Sequence, residues 1–479
     1  MADKEHTNPE RMEKIVSLCK RRGFIYQSAE LYGGLNGCWD YGPMGVEIKR
    51  NLKNYWWRKN VRERDDIVGL DGSILTHQAI LTASGHVGGF SDPMIDCRTC
   101  KARFRADNLD GVECPRKPSR RPGHGPECDL TEAREFNLMF QTTVGASAEE
   151  DDPNAVAYLR PETAQSIFTQ FKNVLETSRQ KLPFGIAQIG KAFRNEINPR
   201  NYTFRSREFE QMELEFFVKP GSDAHWHAYW VDERMKWYEA IGLPRDALDR
   251  YVYGDEELAH YASACVDILY DFPFGMQELE GIAARGDFDL RSHQECSGKS
   301  MAYFDPEAKE KYVPHVIEPS AGVDRIALAL ICEAYREEWV PGQAPGDPSA
   351  ETAPRPILEA RPGENPPEGY DARTVMRFHP SVAPVKVAVF PLLKNKSELV
   401  RKGRAVFEPL RERWACVWDQ VGAIGRRYRR QDEIGTPFCV TIDFQTLEDD
   451  TVTLRNRDSM QQERLQVGAL PARLQDVLP

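Results

Sequence analysis

The 479-residue chain is 41% hydrophobic, enough for two or three domains with real cores. It carries 63 Lys and Arg against 74 Asp and Glu, a formal net charge of −11, so nucleic acid would have to be met by local basic surfaces and not by overall charge. No run of about 18 apolar residues is present to cross a membrane.

The charged start, MADKEHTNPERMEK, lacks the apolar segment of a secretory signal. Residues 9–22 then place Met12, Ile15, Val16 and Cys19 at helical spacing, behind Asn8 as N-cap and Pro9 at the first helical position. Residues 45–64 read as a second helix, with Trp56 and Trp57, leading into a strand over 67–75. An insertion at about 97–128 holds Cys97, Cys100, Cys114 and Cys128. Either these thiolates close a tetrahedral Zn²⁺ site, with His124 able to replace one of them, or they are free structural cysteines in a loop. The 11 cysteines of the chain are too scattered for a disulfide framework, which favours a reducing, cytoplasmic setting.

Pro161-Glu162-Thr163 opens a helix running through Phe171. Strands over 184–193 and 209–219 flank a loop with Asn198, Pro199 and Asn201. In the second strand Met212, Leu214 and Phe216 alternate with Gln211, Glu213 and Glu215, a period of two that puts the carboxylates on one face. Such a row is costly unless that face is solvated or meets a cation. The hairpin also carries Arg194, Arg205, Arg207 and Phe209. It is either a generic basic hairpin or a device in which arginine forks grip phosphate oxygens while an aromatic face stacks on a purine.

Further on, Ile317-Glu318-Pro319-Ser320-Ala321-Gly322-Val323-Asp324-Arg325 and the run IALALI read as strand, turn and helix, with Gly322 allowing close backbone approach. Residues 341–368 are rich in Pro, Gly, Ala and Glu and read as an exposed excursion. PVKVAVFPLL is a buried-strand pattern, followed by a helix over 396–413. These signals divide the chain into a region over 1–375 and a compact α/β domain over 380–479. Two basic runs, at residues 116–121 and 426–430, are either nucleic-acid contacts or solvated faces.

Phe193-Arg194-Asn195-Glu196 with Arg205-Ser206-Arg207-Glu208-Phe209 resembles motif 2 of the class II aminoacyl-tRNA synthetases, and Gly322-Val323-Asp324-Arg325 resembles motif 3. Tyr41-Gly42-Pro43-Met44-Gly45, Ser84-Gly85-His86-Val87, Leu159-Arg160-Pro161-Glu162-Thr163, Glu318-Pro319-Ser320 and Arg457-Asp458-Ser459-Met460 are similar to segments of the homodimeric glycyl-tRNA synthetases. The resemblance spans nearly the whole chain. It departs at the Pro-rich excursion and at motif 1, where Gln78 stands in place of a usual proline.

The resemblance implies an α+β fold: an antiparallel catalytic sheet flanked by helices, plus a C-terminal α/β anticodon-binding domain. It implies a ligase that uses Mg·ATP to form glycyl-adenylate and passes glycine to its tRNA. In that reading Arg194 and Arg325 are catalytic, with Arg194 on the α-phosphate and Arg205 on the γ-phosphate. Phe209 and Arg325 sandwich the adenine, Glu278 binds Mg²⁺, and Asn195, Glu196, Phe204, Arg207, Leu279 and Gly322 complete the ATP site. Glu162, Glu213 and Glu318 form a negative pocket for the glycine ammonium. Ser320 lies beside Cα, and Arg285 and Arg105 are further substrate contacts. Arg426-Arg427-Tyr428-Arg429-Arg430 would pair RNA phosphates and stack a splayed base. A non-catalytic nucleic-acid-binding relative on the same fold would lack Arg194, Arg205 and Arg325, all present here. Serine, threonine or proline as substrate would keep the class and change the pocket.

Overall fold

Nested antiparallel pairings build the largest sheet, whose seven strands run in the order Leu248–Val252, Ala264–Phe272, Gly275–Gly286, His315–Gly322, Glu208–Val218, Phe184–Phe193 and Ile67–Gly69. Only the last pairing is parallel. The computed structural model describes residues 7–117, 119–145, 155–342, 356–361 and 363–478. The arrangement of sheets and helices is the α+β architecture expected from the sequence.

One face of this sheet presents Met212, Leu214 and Phe216 to a core shared with helices Pro9–Arg22, Pro43–Trp57, Asp223–Ala240 and Val323–Ala334. The other face carries Phe184, Ile186 and Phe217 against helix Ala164–Ser178. Gln211, Glu213 and Glu215 lie on that second face, as their period of two requires, but they are buried and not solvated. Burying about 150–250 Å² per aromatic ring on both sides anchors the strands that carry the acidic row.

The first helix matches its sequence signals: Asn8 accepts a hydrogen bond from the Arg11 amide at 3.0 Å, and Gly23 closes it in the left-handed region. Two expectations need correction. The strand expected over 67–75 is two strands, Ile67–Gly69 in the large sheet and Leu75–His77 paired with Val156–Leu159 in another. Between them the Gly72 amide turns inward to donate to the Gln188 side chain, which ends the first pairing. The helix expected from Pro161 begins at Ala164, because the Thr163 amide and hydroxyl both bond the Glu213 carboxylate instead of capping the helix. At motif 1, Gln78 opens the short helix Gln78–Ala83, capped by the His77 ring.

Half of the Pro-rich stretch, residues 343–355 and 362, lies outside the described residues. Tyr335–Pro341 is the central strand of a three-stranded sheet, pairing with Leu358–Glu359 on one side and Tyr370–Met376 on the other. The C-terminal part forms a five-stranded sheet in the order Cys416–Trp418, Val387–Pro391, Phe438–Ile442, Thr451–Asn456 and Gln462–Gln466. It has its own core, in which Val387, Leu399, Phe407, Val440 and Leu454 are buried.

A buried ionic network joins this part to the three-stranded sheet. Asp432 accepts from Arg373 Nε at 2.9 Å and from both terminal nitrogens of Arg455 at 2.9 and 3.1 Å. Glu338 accepts from Arg373 Nη1 at 3.0 Å and from Arg377 Nε at 2.7 Å. Removing one partner of such a group strands the others as unpaired buried charges. Asp432→Ala is therefore expected to lower stability by about 3–5 kcal/mol, measured as a shifted urea midpoint; an unchanged midpoint would show the network to be dispensable.

Candidate active site

A cleft of about 260 Å³ opens over the large sheet where Glu208–Val218, His315–Gly322 and Gly275–Gly286 lie side by side. Ten expected site residues line it: Arg194, Glu196, Phe204, Arg205, Phe209, Glu278, Glu318, Ser320, Gly322 and Arg325. Strand pairing aligns Gln211 with Gly322 and Glu213 with Ser320, so residues over a hundred positions apart share one floor. A Cβ on Gly322 would meet only Arg325, at an ordinary 3.5 Å. The close approach expected there is thus not made by the protein itself.

The hairpin arginines have different local roles. Arg194 donates Nε to the Pro161 carbonyl at 3.0 Å, and its guanidinium carbon lies 5.3 Å from the ring centroids of both Phe90 and Phe209. Its terminal nitrogens are thereby oriented by a carbonyl and two ring faces. Arg205 is held only loosely, its Nε 3.9 Å from the Glu196 carboxylate. Arg207 instead donates to the carbonyls of Glu196 and Asn36, which ties the hairpin to residues 36–37. Arg207, expected among the ATP contacts, does not line the cleft. Asn195 takes part through its amide, which donates to Leu138 at 2.6 Å.

Arg325 stacks over the Phe204 ring at 4.5 Å and pairs with Glu278 at 2.9 Å. Phe209 and Arg325 both face the cleft, but Arg194 and Phe204 are their stacking partners in this structure. Leu279 is buried in the core, so only its backbone is available to the cleft. Glu278 remains 43% exposed at its side chain. Burial, and then Glu278 itself, push the nearby Asp267 carboxyl up to about 6. Glu278 lines the cleft and offers the carboxylate type that suits a hard divalent cation, whereas Asp267 is buried and accepts from the Tyr253 hydroxyl at 2.9 Å.

At the inner end of the cleft the carboxylates gather. Glu213, Glu215 and Glu318 each bring an oxygen within 4.8 Å of the others, the only such trio among the described residues. Glu213 accepts the Thr163 amide at 3.1 Å and the Thr163 hydroxyl, at the N-terminus of a 15-residue helix whose dipole favours an anion. Glu318 accepts from Arg285 Nη1 at 2.9 Å. Arg285 grips Asp289 with its other two nitrogens at 2.7 and 2.9 Å and lies 4.0 Å over the Tyr261 ring. Three of its five N–H donors are thus committed, and it acts on the cleft through Glu318. Burial pushes the Glu318 carboxyl up to about 8; Arg285 opposes that rise, and Glu213 and Glu162 add to it.

Glu162 lines a second cavity of about 140 Å³ with Arg160 and Gln165. It accepts from Gln165 at 2.9 Å, and His86 Nε2 lies 3.4 Å away. Burial resists its ionisation, but His86, Arg285 and Gln165 outweigh that and hold the carboxyl below the usual range. Arg105 does not line the cleft; it pairs with Asp92 at 2.9 Å and Asp107 at 2.7 Å. His86, Thr163 and Asp289 were not assigned roles from sequence. Asp289 had a signal, its position four residues after Arg285, and His86 stands in the quoted Ser-Gly-His segment.

Cys97, Cys100, Cys114 and Cys128 line one small cavity with Gly125 and Lys117. The thiols surround that space without any three closing to within 4.8 Å. The basic run at the C-terminal end lies in helix Ile424–Ile434. Arg427 is buried and donates to the carbonyls of Gly422 and Pro391, and Arg430 pairs with Asp419. Tyr428 packs edge-on against Phe390 and bonds Thr441, so it is not a free stacking platform. Arg426 and Arg429 remain exposed.

Residues 386–477 match the family model described as "Anticodon binding domain". Proteins named glycine–tRNA ligase are similar over nearly the full length. That of Treponema denticola is 50% identical over 97% of this chain and 96% of its own. That of Thermobifida fusca is 49% identical over 96% of each, and that of Clostridium perfringens 50% identical over 95% and 96%. With this identity along the whole length, and with the motif 2 and motif 3 arginines in one cleft, the chain belongs to the glycine–tRNA ligase family.

Proposed function

We propose that this protein activates glycine with Mg·ATP to glycyl-adenylate and transfers the glycyl group to the 3′ end of glycine tRNA. The observation that carries the reading is the juxtaposition, in one cleft, of Arg194 and Arg205 with Glu318, whose carboxyl lies within 4.8 Å of the buried Glu213. A substrate with no side chain offers only an ammonium and a carboxylate to hold. Affinity then comes from carboxylates facing the ammonium, and selectivity from excluding anything larger.

In the reaction the glycine carboxylate attacks the α-phosphate, and pyrophosphate leaves. The carboxylate is already a competent nucleophile, so no side chain need remove a proton. Arg194, oriented by the Pro161 carbonyl, stabilises charge on the α-phosphate, and Arg205 holds the γ-phosphate. Arg325 and Phe209 confine the adenine. Mg²⁺, when bound, offsets phosphate charge, with Glu278 as its carboxylate and Asp267 beside it. Glu162, Glu213 and Glu318 receive the ammonium, Ser320 sits beside Cα, and Arg285 fixes Glu318.

The division into a catalytic region over 1–375 and an anticodon-binding domain over 380–479 completes the proposal, as do a homodimer and a cytoplasmic setting. The separate C-terminal core and the family match at 386–477 support the division. No helix among the described residues is long and apolar enough to cross a membrane. For the cysteine insertion the reading is a structural Zn²⁺ held by Cys97, Cys100, Cys114 and Cys128, supported by their shared cavity.

ATP–pyrophosphate exchange tests the central reading: glycine alone, against alanine, serine, threonine and proline, is expected to support it. Exchange with another amino acid, or none, overturns it. Arg194→Ala is expected to lower glycine-dependent exchange by about 100-fold or more with the fold intact; near-wild-type exchange removes its phosphate role. Metal analysis of gently purified protein is expected to find roughly one Zn²⁺ per chain, and less than roughly half an equivalent contradicts the cysteine site.

A further inference from the structure

Glu215 is completely buried, and neither carboxyl oxygen has a hydrogen-bond partner. It lies on the same strand face as Glu213, two residues away, and its carboxyl comes within 4.8 Å of both Glu213 and Glu318. The charges that act most strongly on it are those of Glu318, Glu213 and Asp289 and the cation Arg285. A bare carboxylate in that position would have no donor and several anionic neighbours, the costliest state a buried acid can adopt.

The other acids are each supplied with donors. Glu213 receives two from Thr163, Glu318 one from Arg285, Asp289 two from Arg285, and Glu162 one from Gln165. Glu215 alone receives none, so it is the group whose chemistry is satisfied by becoming a donor. We propose that Glu215 is a positioning residue that holds a proton and donates it to the Glu213–Glu318 pair, keeping their remaining lone pairs aimed at the ammonium end of the cleft. The direction of its titration agrees: burial, followed by Glu318, pushes the carboxyl well above its ordinary range. Its neutral state also keeps the buried end from collecting a third negative charge beside one guanidinium. This inference rests on the ammonium reading of Glu213 and Glu318 given above.

The test compares Glu215→Gln, which still donates, with Glu215→Met, which fills similar space without donating, in glycine-dependent ATP–pyrophosphate exchange. The expected result is a glycine KM raised about tenfold in Glu215→Met, the worth of one hydrogen bond to a charged group, with the ATP KM within about twofold. Glu215→Gln should restore the glycine KM to within about threefold of wild type. An unchanged glycine KM in Glu215→Met overturns the proposal, since space-filling would then suffice. So does a Glu215→Gln defect as large as that of Glu215→Met, which would mean that an ionised carboxylate is needed. Glu213→Gln serves as the control: if it leaves the glycine KM unchanged, the ammonium pocket itself fails, whereas a rise there with no effect of Glu215→Met removes only this inference. If Glu215→Met does not fold, the infrared difference between wild type and Glu215→Gln decides. A protonated-carboxyl band lost in the variant supports the proposal, and its absence from wild type refutes it.

Discussion

The structure turns on one electrostatic constraint: several carboxyl groups are buried around the Arg285 guanidinium. Two unit charges within 4.8 Å of each other repel by at least about 3 kcal/mol even at an effective dielectric near 20. Glu213, Glu215, Glu318 and Asp289 cannot all stand as bare anions beside Arg285. The surrounding elements answer this constraint one by one. The helix at Ala164 gives up its side-chain cap so that Thr163 can serve Glu213. Arg285 divides its donors between Asp289 and Glu318. The deficit that remains faces the cleft, where a substrate ammonium would meet it.

The same division of labour runs through the arginines. Arg207 is used up on backbone carbonyls and fixes the hairpin to a neighbouring loop. That anchoring leaves Arg194 without a carboxylate partner and Arg205 with only the loose Glu196 pairing at 3.9 Å, a state in which a guanidinium is available to an incoming phosphate. Arg325 is restrained by Glu278 and Phe204. An ATP-sized ligand entering here would exchange one charged partner for another, with little new desolvation.

At the C-terminal end, two of the four arginines that read as an RNA-facing run are held by the protein itself. Arg427 is buried on carbonyls and Arg430 is paired, while Asp432 and Glu433 of the same helix reach other parts of the chain. Asp432 meets Arg373 in the three-stranded sheet, and Glu433 meets Arg22 at the end of the first helix. Helix Ile424–Ile434 thus works as a joint as much as a surface, leaving Arg426 and Arg429 to present charge outward.

The sequence by itself determined the element types, the period-two acidic strand, the capped first helix and the membership of Arg194, Arg205, Phe209 and Arg325 in one motif set. These are local properties, written in spacing and in residue types whose chemistry needs no partner to be recognised. The family resemblance assigned Glu162, Glu213 and Glu318 to one pocket, Glu162 and Glu318 within quoted segments and Glu213 on the period-two strand. Only the tertiary structure decided which charges pair. Nothing local in the sequence told that Arg105 is held by Asp92, that Arg207 spends its donors on carbonyls, that Leu279 turns into the core, or that the strand near Ile67 breaks at Gly72. Each outcome depends on groups brought together across tens to hundreds of residues. In a low-dielectric interior the state of a charge is set by its neighbours in space, and strand register, not sequence spacing, chooses those neighbours.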